Sequence, residues 1–184
     1  MTSNNQYPHW LYNDDGKLDE ELAAQFIAER DSLIQHIETA FADVPYPGDA
    51  NLTIKDGDFF ANVAETRRDF RGKHWKDLSP EFIHEHPSAL NIFTRRAYHF
   101  YLPAYMIGIL LDANNGSLVS TQLLHDFVVG ETNWVAVQLN EFSAEQCAAI
   151  SAYLKFHYLL FDKFDLRQSG DYVEQAIMKL ETNG

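Results

Sequence analysis

"TRRAYHFYLPAYMIGILLD", residues 94 to 112, decides the architecture. Thr94 stands where a helix cap belongs, and the residues after it read as a long helix, kinked or interrupted around Pro103. Within it, Phe100 to Leu111 form an unbroken apolar run of twelve residues that includes Pro103 and Gly108. Spanning a bilayer takes ~20 apolar residues, so this helix is expected inside a protein core rather than in a membrane. "DANNG", residues 112 to 116, ends it.

Upstream, apolar residues Leu22, Ala23, Phe26, Ile27, Leu33, Ile34, Ile37 and Phe41 recur at spacings of three, four and seven. They predict an amphipathic helix over about Asp19 to Ala42, with Asp19, Glu20 and Glu21 placed where the helix dipole favours negative charge. "VPYPGD", residues 44 to 49, must stop it, since its prolines and glycine forbid continuation. Residues 49 to 64 are ambiguous: "NLTI" suits a short extended piece, and "DGDFFANVAETRRDF" suits a helix starting near Asp58. Ser79 before Pro80 marks the start of a short helix, "EFIHEH", which Pro87 closes.

Downstream, Val119, Leu123 and Phe127 predict a helix over 118 to 129, and "WVAVQL", 134 to 139, suits an isolated strand or linker. "SAEQ", 143 to 146, matches a capping box before "ISAYLKFHYLLF", which is apolar on nearly every side and therefore expected at the centre of a bundle. In that helix His157 is expected as a buried, hydrogen-bonded side chain and Lys155 as a cation that reaches the surface. "SGDYVEQAIMKLE" adds a final amphipathic helix. The expected fold is mainly α: one domain over residues 1 to 184, a bundle of about six helices with one or two short extended segments, and flexible ends at 1 to 15 and 181 to 184.

The formal net charge is -13, but it is unevenly spread. Residues 1 to 43 carry nine acidic and two basic side chains, and residues 112 to 184 carry ten and four, whereas 44 to 111 carry eight of each. Half of the Lys and Arg fall between Arg67 and Arg96, four of them within "ETRRDFRGKHW", residues 65 to 75. Arg95 and Arg96 sit in a first helical turn, where cations oppose the dipole at ~0.3–1 kcal/mol each. Ion pairing within the chain, to Glu65, Asp69, Asp77, Glu81, Glu85 or the acidic helices, is the leading explanation. The alternative is a basic pocket for a carboxylate or phosphate, built from Arg67, Arg68, Arg71, Lys73, His74, Arg95 and Arg96 with Trp75 as a stacking face.

Other chemistry is sparse. The single cysteine, Cys147, excludes an intramolecular disulfide and reads as a buried thiol. Glu81 and His84 show the Glu-x-x-His spacing only once, where di-iron bundles use it twice, so no metal or cofactor is expected. Phosphate loops, nucleophile elbows and zincin motifs are absent from the sequence, and a catalytic Asp–His pair could come only from residues brought together in space, such as His125 and Asp126 or His99. Acidity argues against nucleic acid and anionic membranes, and the N-terminus lacks the basic and apolar regions of a signal peptide, so a cytoplasmic protein is expected.

The order V-P-Y-P-G-D, F-x-G-K-x-W, S-A-L and L-P-A-Y, at Pro45 to Asp49, Phe70, Gly72, Lys73, Trp75, Ser88 to Leu90 and Leu102 to Tyr105, with a late helix start at Ser143 to Gln146, resembles an uncharacterised family of small bacterial proteins. That resemblance covers roughly residues 40 to 160 and implies a cytoplasmic bacterial protein without an assigned activity. The expected function is a non-enzymatic protein-binding module, of the kind an immunity-type inhibitor represents, whose acidic helices meet a basic protein partner. The alternative is a binder of a small anionic ligand, or an enzyme acting on one, through the cluster at 67 to 96.

Overall fold

Thr94 caps the long apolar helix as its position predicts, its hydroxyl accepting from the Ala97 amide at 3.2 Å. The computed structural model describes residues 7, 11–54, 62–111, 123, 141–161 and 170–183. Within them lie α1 (Glu20–Ala40), α2 (Val63–Phe70), α3 (Pro80–Glu85), α4 (Ala89–Ile92), α5 (Arg95–Leu111), α6 (Ala144–Phe161) and α7 (Gly170–Asn183). No strand occurs among the described residues, only isolated bridges, Tyr12 with Leu18 and Thr53 with Phe93. The protein is a mainly helical bundle, and no described helix is long and apolar enough to cross a membrane.

The predicted starts hold for a local reason. Asp19 accepts from the Leu22 amide and Ser79 from the Phe82 amide, each covering a donor that the first turn leaves without a helical acceptor. At α6 the capping box closes in both directions: Ser143 Oγ accepts from the Gln146 amide, and Gln146 Oε1 accepts from the Ser143 amide.

Several details bear on the sequence reading. The α5 helix runs through Pro103 without interruption, and the residues around it, Leu102 and Ala104 included, are buried. Tight packing on neighbouring elements offsets the hydrogen bond that proline removes. The helix expected from near Asp58 is described only from Val63, residues 55 to 61 lying outside the described set. At the ends, Leu11 is fully buried against Ala23 and Phe26, and α7 continues to Asn183. The helix read over 118 to 129 and the extended "WVAVQL" also lie outside the described residues, apart from buried Leu123.

The core is centred on α5, whose buried positions face all directions. It lies between α1 and α3, while α6 lies between α1 and α7, so the central place expected for the 150 to 161 segment is shared by two helices. Phe26 stacks on Phe156 at 5.4 Å and Phe41 meets Phe142 at 6.2 Å, which makes α1 and α6 antiparallel. Gly108 lets α3 approach α5 closely, because a Cβ there would stand 3.4 Å from the Ile83 side chain.

Candidate functional site

The two sequence motifs richest in glycine, proline and aromatic residues meet in space. Gly72 adopts φ of 67°, a left-handed conformation that a side chain disfavours, and this turns the chain sharply after α2. Its amide donates to the Tyr46 hydroxyl at 2.9 Å, and Tyr46 in turn donates to Asp49 Oδ1 at 2.6 Å. Arg71 Nε donates to Asp49 Oδ2 at 2.8 Å, so the guanidinium and the Tyr46 hydroxyl together hold the Asp49 carboxyl below its ordinary range, Tyr46 contributing most. Beneath the turn, the Tyr101 hydroxyl donates to the carbonyls of Phe70 and Lys73 at 3.0 and 2.9 Å, and burial pushes its ionisation far upward. The Tyr46 hydroxyl thus accepts from, and the Tyr101 hydroxyl donates to, backbone groups of this tight turn.

Gly72→Ala will cost roughly 1–2 kcal/mol in urea unfolding, the penalty of left-handed backbone for a residue with a Cβ. No atom stands within 4 Å of a Cβ built there, so the effect isolates backbone strain from crowding. A loss below about 0.3 kcal/mol would show that the turn relaxes at no cost.

The rest of the basic cluster is dispersed. Arg68 spans Asp69 with Nε to Oδ1 at 2.8 Å and Nη2 to Oδ2 at 3.3 Å, with Glu65 at 3.6 Å. Arg67 Nε donates to buried Thr53 at 3.0 Å, and Arg95 approaches Glu141 at 3.5 Å. Lys73 and Lys76 place their ammonium groups 4.2 and 5.1 Å from the ring centroids of Phe82 and Trp75. His74 Nδ1 accepts from the Lys76 amide, and Arg96 is exposed on the first turn of α5. Trp75 is 2% exposed, so its indole belongs to the core and presents no open stacking face.

One pair escaped the sequence reading. His86 Nε2 stands 3.1 Å from Asp69 Oδ2 and its Nδ1 2.8 Å from the Phe82 carbonyl, with Phe70 and Phe82 rings packed against it. Arg68 first, and His86 second, lower the Asp69 carboxyl. Both imidazole nitrogens face oxygen acceptors, so neither points outward to move a substrate proton, although the assembly otherwise resembles an acid–base dyad. No local signal marks it, because the two residues are 17 positions apart. His99, the other histidine considered, bonds Gln146 at 2.9 Å between the rings of Phe41 and Phe142. His125 and Asp126 lie outside the described residues, as do Trp10 and Trp134.

Among the described residues no three His, Cys, Asp or Glu side chains gather as a metal would require. Two clefts lie among the described residues. A polar one of about 260 Å³ lies between α2 and the α3–α4 turn, lined by Asn62, Glu65, Thr66, Glu85, His86 and Ser88 among others. A shallower, mostly apolar one of about 460 Å³ lies between α1 and α6, over Ala28, Ser32, Leu33, Ala152 and Phe156. Neither is lined by any of the eight candidate residues Arg67, Arg68, Arg71, Lys73, His74, Trp75, Arg95 and Arg96.

Charge along α1 is not consumed in this way. On α1 and its approach, Asp14, Asp15, Glu20, Glu21, Glu29 and Glu38 are exposed, and among the described residues no cation pairs with them. Arg30, the one arginine there, is bonded to Asp31 at 2.8 Å.

The model of a family described as of unknown function, DUF6714, matches residues 29–178. No curated protein and no solved structure matches the chain.

Proposed function

We propose, for a chain that belongs to the DUF6714 family of unknown function, a non-enzymatic protein-binding module that meets a basic protein through the carboxylates of α1, in the manner of a cytoplasmic immunity-type inhibitor. The observation that carries this reading is the asymmetry of charge. Most cations of the middle segment face carboxylates, a hydroxyl or aromatic rings inside the chain, whereas Glu20, Glu21, Glu29 and Glu38 of α1 are exposed and, among the described residues, pair with no cation. Unpaired like charges on one helix cost stability, and a complementary partner removes that cost while accelerating encounter. Enzymatic readings gain little support, since Asp69 and His86 direct their polar atoms to each other, to Arg68 and to a backbone carbonyl. The anionic-ligand reading has no observation behind it beyond exposed Arg96.

Immobilised full-length chain, challenged with cell lysate at low salt, is expected to retain a basic protein that high salt releases, because exposed charge pairs are screened. Reversing Glu20, Glu21, Glu29 and Glu38 to lysine together will abolish retention, with circular dichroism checking that the variant stays folded, since lysines in the first turn oppose the helix dipole at ~0.3–1 kcal/mol each. A wild-type chain that retains no basic protein, or a charge-reversed variant that retains the same one, would refute the reading.

A further inference from the structure

The cleft between α1 and α6 exists because the side chains over it are short. Ala28 and Ser32 on α1 and Ala152 on α6 leave room above Leu33 and Phe156, and Ala28 and Ser32 are exposed. Two helices side by side form a groove into which a third helix fits at an interaxial distance of ~8–10 Å, and small residues permit that approach. No strand edge is present among the described residues to accept an extended peptide instead.

Charge surrounds this apolar floor. Glu29 and His36 stand in the wall of the cleft, Glu29 being its one carboxylate among the described residues. Glu21 lies two turns before Ala28 on the same face of α1, and Glu145 two turns before Ala152 on the same face of α6; both are exposed. Since the helices are antiparallel, these carboxylates lie beyond opposite ends of the cleft. The nearby cation on α6, Lys155, is bound to Glu181 of α7, which lowers the Glu181 carboxyl. An apolar floor with carboxylates at its middle and beyond both ends disfavours a second copy of this acidic chain and favours a cationic one.

We propose that the α1–α6 cleft seats an amphipathic, lysine- or arginine-rich helix of the basic partner, with one aliphatic side chain over Ala28, Ser32 and Ala152 and its cations meeting Glu21, Glu29 and Glu145. This rests on the protein-binding reading and adds where the partner sits and what secondary structure it presents.

The test uses the full chain and two labelled peptides of about five helical turns made of leucine and lysine. One places leucines on a single helical face, and the other has the same composition scrambled. Fluorescence anisotropy is expected to show the amphipathic peptide binding at least about tenfold more tightly. Ser32→Trp, which fills the cleft at an exposed position and alters no charge, will bring it down to the scrambled peptide's affinity; Ala28→Phe serves as a second filler should the first perturb folding by circular dichroism. Equal binding of the two peptides, or an amphipathic advantage that survives both fillers, overturns the cleft while the acidic-surface reading stands. Failure of both peptides to bind at low salt overturns both readings. A dimer in sedimentation that Ser32→Trp dissociates assigns the cleft to a second copy and overturns the proposal as well.

Discussion

Phe70→Ala will destabilise the protein by roughly 3–5 kcal/mol in urea unfolding, the range for truncating a fully buried phenylalanine. Phe70 has no exposed surface, and its ring meets those of Phe82, Phe93, Tyr101 and His86 at 5.0, 4.9, 5.0 and 5.3 Å between centroids. Those four partners come from α3, the link before α5, α5 itself and the turn after α3, so one ring ties together four stretches of chain. Edge-to-face contacts add ~0.5–1.5 kcal/mol each beyond area burial, though not additively. The cavity also removes support from the turn below, where Tyr101 bonds the Phe70 carbonyl. A domain of this length loses ~2–4 °C of melting temperature per kcal/mol, so the shift should be about 10 °C. Phe70→Leu keeps most of the volume and should cost well under half as much; a Phe70→Ala protein within about 1 kcal/mol of wild type would mean that the cluster collapses around the void.

Acid sensitivity should trace to His157. Its side chain is fully buried, and desolvation lowers its pKa from 6.5 to about 3. The unfolded chain therefore takes up a proton here near pH 6.5, whereas the folded chain resists it until far lower pH. Between those values the unfolded state binds more protons, so stability falls as pH falls, by about 1.4 kcal/mol per unit. From pH 7 to pH 5 the loss from this group is about 2 kcal/mol, and pH 5 is still well above the folded value, so the loss depends on the unfolded pKa alone. Asp49, Asp69 and Glu181 have lowered values and add their own losses only as pH falls through the carboxylate range. His157→Leu should remove about 2 kcal/mol from the pH 7 to pH 5 difference measured by urea unfolding, whatever it does to stability at pH 7. An unchanged difference would place the acid sensitivity elsewhere.

Most of the helices were legible because their signals are local. Ser79, Thr94 and the Ser143–Gln146 box cap residues three positions away, and such bonds form whatever the rest of the chain does. The twelve-residue apolar run at 100 to 111 likewise announces burial. Of the two outcomes expected at Pro103, a kink or an interruption, the interruption does not occur, because propensity is a local term of a few kcal/mol at most and burial on all sides of α5 outweighs it. Burial of Leu11 and the tie between Lys155 and Glu181 are set by distant residues and leave no local signal.

The candidate site was legible in composition but not in arrangement. Clustering in sequence suggested a shared purpose for Arg67, Arg68, Arg71, Lys73, His74, Trp75, Arg95 and Arg96. In space Arg67, Arg68, Arg71, Lys73 and Arg95 take separate partners, and Arg96 is exposed. The α1–α6 cleft left no trace in the sequence, because its short side chains come from helices more than a hundred residues apart.

By itself the sequence determined where helices begin, which segment must be buried and how charge is apportioned along the chain, since each depends on neighbours within a few positions. Only the tertiary structure decided that Arg71 meets Asp49 across 22 positions and His86 meets Asp69 across 17, leaving the carboxylates of α1 in solvent. The reason is physical: a charge is neutralised by whatever packing brings within about 4 Å, and packing is set by the apolar faces of the helices rather than by the charges themselves.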